Sequence, residues 1–231
     1  MSFLTMIQEA AGSLNQPVPS AVFGVATGDA PLWRNLAQRE GRDLASRHNW
    51  QALIASASPI TLAAKQQAAL ASDYDRMPLS GDLWNLTLQQ RYIGPVDHMI
   101  YEDLVIRGSA VLPGAWLIQN GNIYITPAPT AGQSLFYYYI SNQWCQSSGG
   151  TPQAQWAADT DTGKLSENLM GLGVTWRWLK AKGMDYAEEM ASYEREVERA
   201  TSRDRNFGVM TSGSAPRDWA PGPTWSGTIT P

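Results

Sequence analysis

The sequence holds one cysteine, Cys145, and two histidines, His48 and His98, in 231 residues. A lone thiol excludes an intramolecular disulfide framework, and two imidazoles leave little for a histidine-built metal centre. Charge is scarce as well. Charged residues make up 16% of the chain, against about 25% in a typical soluble domain, which points to surface not meant for water. The net charge of −4 argues against nucleic-acid binding through a basic face, because holding phosphates needs clustered Lys and Arg. No apolar run approaches the roughly 20 residues of a membrane span. The opening MSFLTMIQEAAG lacks the basic start and long apolar stretch of a secretory signal. Also missing are the nucleophile elbow Gly-x-Ser-x-Gly, His-Glu-x-x-His, a P-loop and a dinucleotide fingerprint. These absences predict a soluble, intracellularly made protein that is not an enzyme.

What is present falls into blocks. The length suits one domain with an appendage or two small domains, and 43% apolar residues supply a core. Residues 51–163 carry eight acidic and four basic side chains, so the whole net charge lies there, whereas 164–205 hold eight of each sign. From 206 onward only Arg217 and Asp218 are charged. This pattern predicts a sheet-rich middle flanked by charged amphipathic helices, then a tail of another character.

Helical spacing appears first from Ser2 to Leu14, with Ser2 as N-cap and Phe3, Ile7, Ala10 and Leu14 on one face. A second helix is predicted over Ala30–Arg47, capped by Asp29 with Pro31 in its first turn. Leu32, Trp33, Leu36 and Leu44 form its stripe, and Arg34, Arg39, Glu40, Arg42, Asp43 and Arg47 occupy the other faces. Near the end, Leu165, Leu169, Leu172, Trp176 and Leu179 make a seam for another helix. Gly183 stops that helix in the left-handed conformation, Asp185 with Glu188 caps the next, and Tyr186, Met190, Tyr193, Val197 and Ala200 continue the spacing. So short a link predicts an αα-hairpin.

The middle reads as strand. Residues 116–119 and 122–125 flank Asn120-Gly121, whose two residues meet the positive φ that a type I′ turn needs. With the aromatic run after Gly132, a three-stranded meander over about 115–142 is expected. Weaker strands are expected at Ile60–Ala63 and Leu83–Thr87, and a short helix from an Asp97 cap to about Val105, with Ile100 and Leu104 facing inward. The predicted fold is therefore α+β. Residues 1–50 and 164–205 form an antiparallel helical bundle, 51–163 a β-rich insertion, and 206–231 an extended C-terminal arm.

Candidate chemistry is thin. His48 suits a C-terminal cap and His98 a surface position, while Cys145 reads as an inert small side chain. Asp159-Thr160-Asp161-Thr162-Gly163 could suggest a calcium loop, but Gly163 and Met170 stand where oxygen ligands are needed. Capping a helix that begins near Lys164 is the simpler role. Asp73 and Asp75 read as turn formers. No metal or cofactor is expected.

Contacts with partners are the better prospect. Most of the ten tryptophans suit core packing, but Trp144 and Trp156 flank Ser147-Ser148-Gly149-Gly150 and could anchor an interface, as could Trp116 and Tyr124 on the hairpin. In the last 26 residues Gly, Pro, Ser and Thr account for 15, yet Phe207, Trp219 and Trp225 punctuate them. A solvated linker has little use for such anchors. An arm reaching up to about 85 Å when extended and docking those rings in a neighbour's pockets is expected. A tryptophan-rich envelope or polysaccharide-binding module is the alternative, and a degenerate enzyme with a site shared between subunits a third.

Several stretches in order are similar to the head-to-tail connector, or adaptor, proteins of short-tailed bacteriophages. They are Glu40-Gly41-Arg42-Asp43-Leu44 into Arg47-His48-Asn49-Trp50; Tyr74-Asp75-Arg76-Met77; Leu83-Trp84-Asn85; and Ile93-Gly94-Pro95. They continue with NGNIYITPAPTAGQSLFYYYIS, Asp159-x-Asp161, and the run from Trp176 to Tyr186. The resemblance spans about residues 30–203. It implies a ring of about twelve copies beneath the portal, presenting the next tail component, a nozzle or tail hub, with double-stranded DNA passing through non-specifically. It also implies a place in the virion neck, in a protein made in the host cytoplasm without membrane contact. The acidic balance suits such a channel, since like charge keeps phosphates from sticking.

Overall fold

A computed structural model describes residues 2–78, 81–108 and 114–204; the predicted arm, with Phe207, Trp219 and Trp225, lies outside the described residues. The chain is mixed α+β. Its helices are α1 (Phe3–Ser13), α2 (Ala30–Arg47), α3 (His98–Arg107), α4 (Glu167–Ala181) and α5 (Ala187–Asp204). Strands β1 (Ile54–Ala57), β2 (Gln66–Ala69), β3 (Tyr74–Arg76), β4 (Leu83–Asn85) and β5 (Gln90–Arg91) precede α3. Strands β6 (Ala115–Gln119), β7 (Asn122–Thr126), β8 (Leu135–Ser141), β9 (Cys145–Gln146), β10 (Pro152–Gln153) and β11 (Thr162–Gly163) follow it.

Local chemistry sets most helix ends. The Ser2 hydroxyl accepts from the Thr5 N–H, satisfying one orphan donor of α1. Between α4 and α5, Gly183 adopts φ +69°, Met184 N–H returns to the Leu179 carbonyl at 3.0 Å, and Asp185 Oδ1 accepts from Ala187 N–H. That turn folds α5 back onto α4, as the spacing predicts. Asp29 differs: it makes no cap bond to α2, and its carboxylate accepts from Lys182 Nζ at 2.7 Å. The competing cation is delivered by the end of α4, which no local pattern reveals.

Helix α4 is the axis of the helical part, with α1, α2 and α5 all packed on it. Hence it is buried nearly all round, through Met170, Val174 and Trp178 as well as the predicted Leu169, Trp176 and Leu179. On α2 the buried face is Trp33, Ala37, Glu40, Gly41 and Leu44, while Leu32 and Leu36 are half-buried. The expected stripe is thus turned, because glycine and alanine at 41 and 37 permit the closer approach of a neighbour.

The hairpin β6–β7 forms in the expected register, with Asn120 at φ 50° and Gly121 at φ 72°. The third strand does not follow. β2 pairs with β7, whereas β8 joins β1, β3 and β4 in a separate sheet that β5 extends. The expected meander over 115–142 is therefore corrected. Pro127 and Pro129 cannot donate to a ladder, and the segment they occupy carries the chain from one sheet to the other. Ile60–Ala63 forms no strand either. Only Ile60 bridges to Ser134, and Thr61 is fixed by its hydroxyl donating to the Thr130 carbonyl at 2.6 Å.

Two apolar cores result. One gathers Phe3, Ile7, Trp33, Leu44, Trp144, Trp156 and the inner residues of α4 and α5. The other gathers Leu83, Tyr92, Trp116, Ile123, Ile125, Tyr137 and Tyr139 between the sheets. Strand β8 joins them, since Ile140 at its end enters the helical core. Arg76 adds a second tie. Its guanidinium donates to the Ala45 and His48 carbonyls at 3.0 and 2.8 Å and to Asn49 Oδ1 at 2.9 Å. It thereby satisfies the orphan C-terminal carbonyls of α2 from the sheet side.

Candidate interaction surface

The rigid frame behind the surface is an ion network inside the helical part. Glu40 is 0% exposed, and its two carboxylate oxygens accept from Arg177 Nε at 2.6 Å and the Tyr193 hydroxyl at 2.5 Å. Arg177 also donates to Asp43 Oδ2 at 2.7 Å and lies 4.5 Å from the centre of the Trp176 ring. One helix each, α2, α4 and α5, supplies a member. Burial pushes the Glu40 carboxyl above its ordinary range, against the opposing hydrogen bonds from Tyr193 and Arg177. Burial, reinforced by Glu40, also raises the Tyr193 phenol. Two glycines make room. A Cβ on Gly173 would stand 2.1 Å from Glu40 Cδ, and one on Gly41 2.3 Å from the Trp144 ring. The helical spacing of α2 places Glu40 among its charged faces, and Gly173, one turn before Arg177 on the facing helix, leaves the room its carboxylate occupies.

The sheet side has its own clamp. Asp73 accepts from the Tyr139 hydroxyl and the Ser141 hydroxyl, each at 2.7 Å. Burial pushes its carboxyl up, but those two hydrogen bonds outweigh it and hold the group below the usual carboxylate range. Asp73 thus ties a turn to β8, a larger role than turn former, while Asp75 pairs with Arg76.

The other predicted residues fall as follows. His48 ends α2, and its Nε2 lies 3.3 Å from Asp204 Oδ2; His98 is exposed at the start of α3. Cys145 is buried, donates to the Gln153 carbonyl, and has its thiol pushed up to about 12 by burial, so little thiolate exists near neutrality. Asp159 and Asp161 do not cap α4, whose N-cap position is Ser166. Asp159 accepts from Val22 and Phe23 N–H groups, and Asp161 from Ala157 and Ala158. Asp161 is spent on local loop donors and Asp159 on donors from far along the chain. Among the described residues no group of His, Cys, Asp and Glu is arranged to hold a metal ion, and no helix is long and apolar enough to cross a membrane.

Of the aromatic residues expected to meet partners, Trp116, Trp144 and Trp156 lie inside the subunit, and Tyr124 is half-buried on β7. Trp144 and Trp156 pack edge to face at 5.2 Å in the helical core, so the loop between them closes over the core. Among described tryptophans only Trp84 is exposed. On α3, Tyr101 is the inward residue while Ile100 is exposed, contrary to the predicted face, and Leu104 is half-buried. The helix lies against β6 and β7 with its polar start fixed by Asp97 accepting from Met99 N–H.

Apolar surface accordingly concentrates on the β side. Trp84 sits opposite Phe136 in the ladder, Phe136 meets Tyr138 edge to face at 4.9 Å, and Trp84 and Tyr138 remain 42% and 53% exposed. Ile54 borders them. Helix α3 presents Met99 and Ile106, 79% and 81% exposed. Leu86, Leu88 and Ile93 add a third group, each about half exposed. Folded monomers rarely leave so much clustered apolar area in water unless it meets something.

A network centred on buried Glu40, a buried thiol and uncovered apolar faces suit a structural, assembly-type protein. Residues 1–219 match the SU10 adaptor protein family, and the chain belongs to it: a head-to-tail adaptor of the short-tailed phage type. The match takes in α1 and much of the C-terminal segment, beyond the span of the motifs given above. None of the curated proteins matches the chain.

Proposed function

We propose that the protein assembles as a ring of about twelve copies between the portal and the next tail component, a nozzle or tail hub, lining part of the DNA channel in the virion neck. The observation that carries this reading is the apolar area of α3 and of residues 86–93, left exposed beside a helical core that is closed among the described residues. In this reading residues 1–50 and 164–205 form an antiparallel bundle as the ring body, and the 51–163 insertion meets a neighbouring subunit or the next ring. The segment from 206 is an arm. Its distal anchors Trp219 and Trp225 reach a neighbour, whereas Phe207, three residues beyond Asp204, stays within reach of its own subunit. Tyr124 is a secondary contact on the hairpin. The work is mechanical, with no catalytic group or cofactor, and the acidic net charge keeps passing DNA from binding.

Sedimentation velocity tests this. The free protein is expected to run as a monomer and to enter a ring-sized species when portal is added. Stable rings without portal, or no association with portal, would contradict it.

A further inference from the structure

We infer that the groove on the outer face of the β8 sheet is the docking site for the first residues of this chain's own C-terminal segment, with Phe207 as the ring it receives. The groove, about 320 Å³, is bordered by Ile54, Pro78, Gly81, Asp82, Trp84 and Tyr138. Its walls are mostly apolar, with Asp82 turned to Arg91 at 3.2 Å, and its volume has room for a planar ring beside Trp84 and Tyr138.

The occupant follows from where the described chain stops. Helix α5 ends at Asp204, whose carboxylate accepts from Gln51 N–H at 3.0 Å and whose carbonyl accepts from Gln51 Nε2 at 2.5 Å. His48 secures the same carboxylate. Ile54 lies three residues along from Gln51, across one turn of 3₁₀ helix that rises about 2 Å per residue. Phe207 is three residues beyond Asp204, a reach of up to about 10 Å. The end of α5 is therefore held at Gln51, three residues before Ile54 on the groove's border, and the first aromatic residue after it has the reach to enter the groove. The remaining residues, from Gly208 on, lead away with Trp219 and Trp225 still available to a neighbour. This goes beyond the ring reading and does not require it, since the contact is within one chain.

The test places the photocrosslinking residue p-benzoylphenylalanine at position 207 of the full-length chain and irradiates it at a concentration where sedimentation shows monomer. The expected product keeps the monomer mass on a denaturing gel, and peptide mass spectrometry finds the link on the segments carrying Ile54, Trp84 or Tyr138. A Trp84→Ser change on this exposed position, with circular dichroism confirming the fold, should cut that yield at least fivefold. Crosslinks that run only between chains, links to other segments, no link at all, or a yield indifferent to Trp84→Ser would each overturn the inference. A failure to assemble with portal would leave this result unchanged, so the two readings fail separately.

Discussion

The helical part and the β part of this chain handle charge differently. The helical core puts a glutamate, an arginine and a tyrosine at its centre and closes around them. The β part buries neutral polar side chains such as Asn85, Gln67 and Thr61 beside its aromatic and aliphatic core, and leaves Leu86, Leu88, Met99 and Ile106 in water. One region spends its specificity inward, fixing how three helices meet. The other keeps apolar area in reserve for whatever lies outside. The contrast teaches that the described helical core closes within one subunit while the described β side carries apolar area at its surface.

The largest blow to that contrast comes from opening the network. Arg177→Ala leaves Glu40 buried without its cation and should cost about 3–5 kcal/mol in urea unfolding. Replacing Glu40, Arg177 and Tyr193 together with Met, Leu and Phe should recover most of it. A triple variant as weak as the single one would show that the network does more than fill a core. Next in size, Gly173→Ala forces a methyl group against the Glu40 carboxylate and should cost about 1–3 kcal/mol through overpacking, read as a fall in the urea midpoint.

Removing the sheet clamp has a smaller effect with a distinctive pH signature. Asp73→Asn should cost about 1–2 kcal/mol at neutral pH. The folded Asp73 carboxyl lies below its ordinary value of 3.8, so its contribution is present above that value and is lost as pH falls through the lower, folded value. Glu40 carries the opposite sign. Its folded carboxyl lies above its ordinary 4.5, so its contribution is fully present below 4.5 and declines as pH rises through the folded value. Urea midpoints between pH 2.5 and 7 should therefore fall less steeply toward acid in Asp73→Asn, and should decline less toward neutral pH in Glu40→Gln. Smallest in stability is the pair Met99→Ser and Ile106→Ser, within about 0.5 kcal/mol because both are surface positions. That pair should nonetheless weaken association with portal or sister subunits in sedimentation.

What the sequence showed plainly was local. The Ser2 cap, the Gly183 stop, the Asn120-Gly121 turn and the apolar spacing of α1, α4 and α5 each depend on neighbours within a few residues. What it hid was settled by partners far along the chain. Glu40 carries the spacing of a surface residue, and only Arg177 and Tyr193, more than a hundred residues away, make its burial tolerable. Strand β8 looked like the third strand of a meander because proximity favours it, yet its edges were better matched by β1 and β4. The acidic pair Asp159 and Asp161 has the form of a helix cap, and donors from Val22 and Phe23, across the chain, claimed Asp159 first. The exposed apolar surface was legible only as a surplus of apolar residues. Which of them face outward depended on register: Trp116, Trp144 and Trp156 are buried, whereas Trp84, Met99 and Ile106 are exposed.

The central claim is that the β side is unfinished surface completed by other virion proteins. Hydrogen–deuterium exchange of the full chain, alone and bound to portal, addresses it most directly. Amides of residues 86–107 should gain protection in the complex while those of α4, already sealed within the helical core, stay unchanged. Equal exchange of residues 86–107 in the free and bound chain would contradict it.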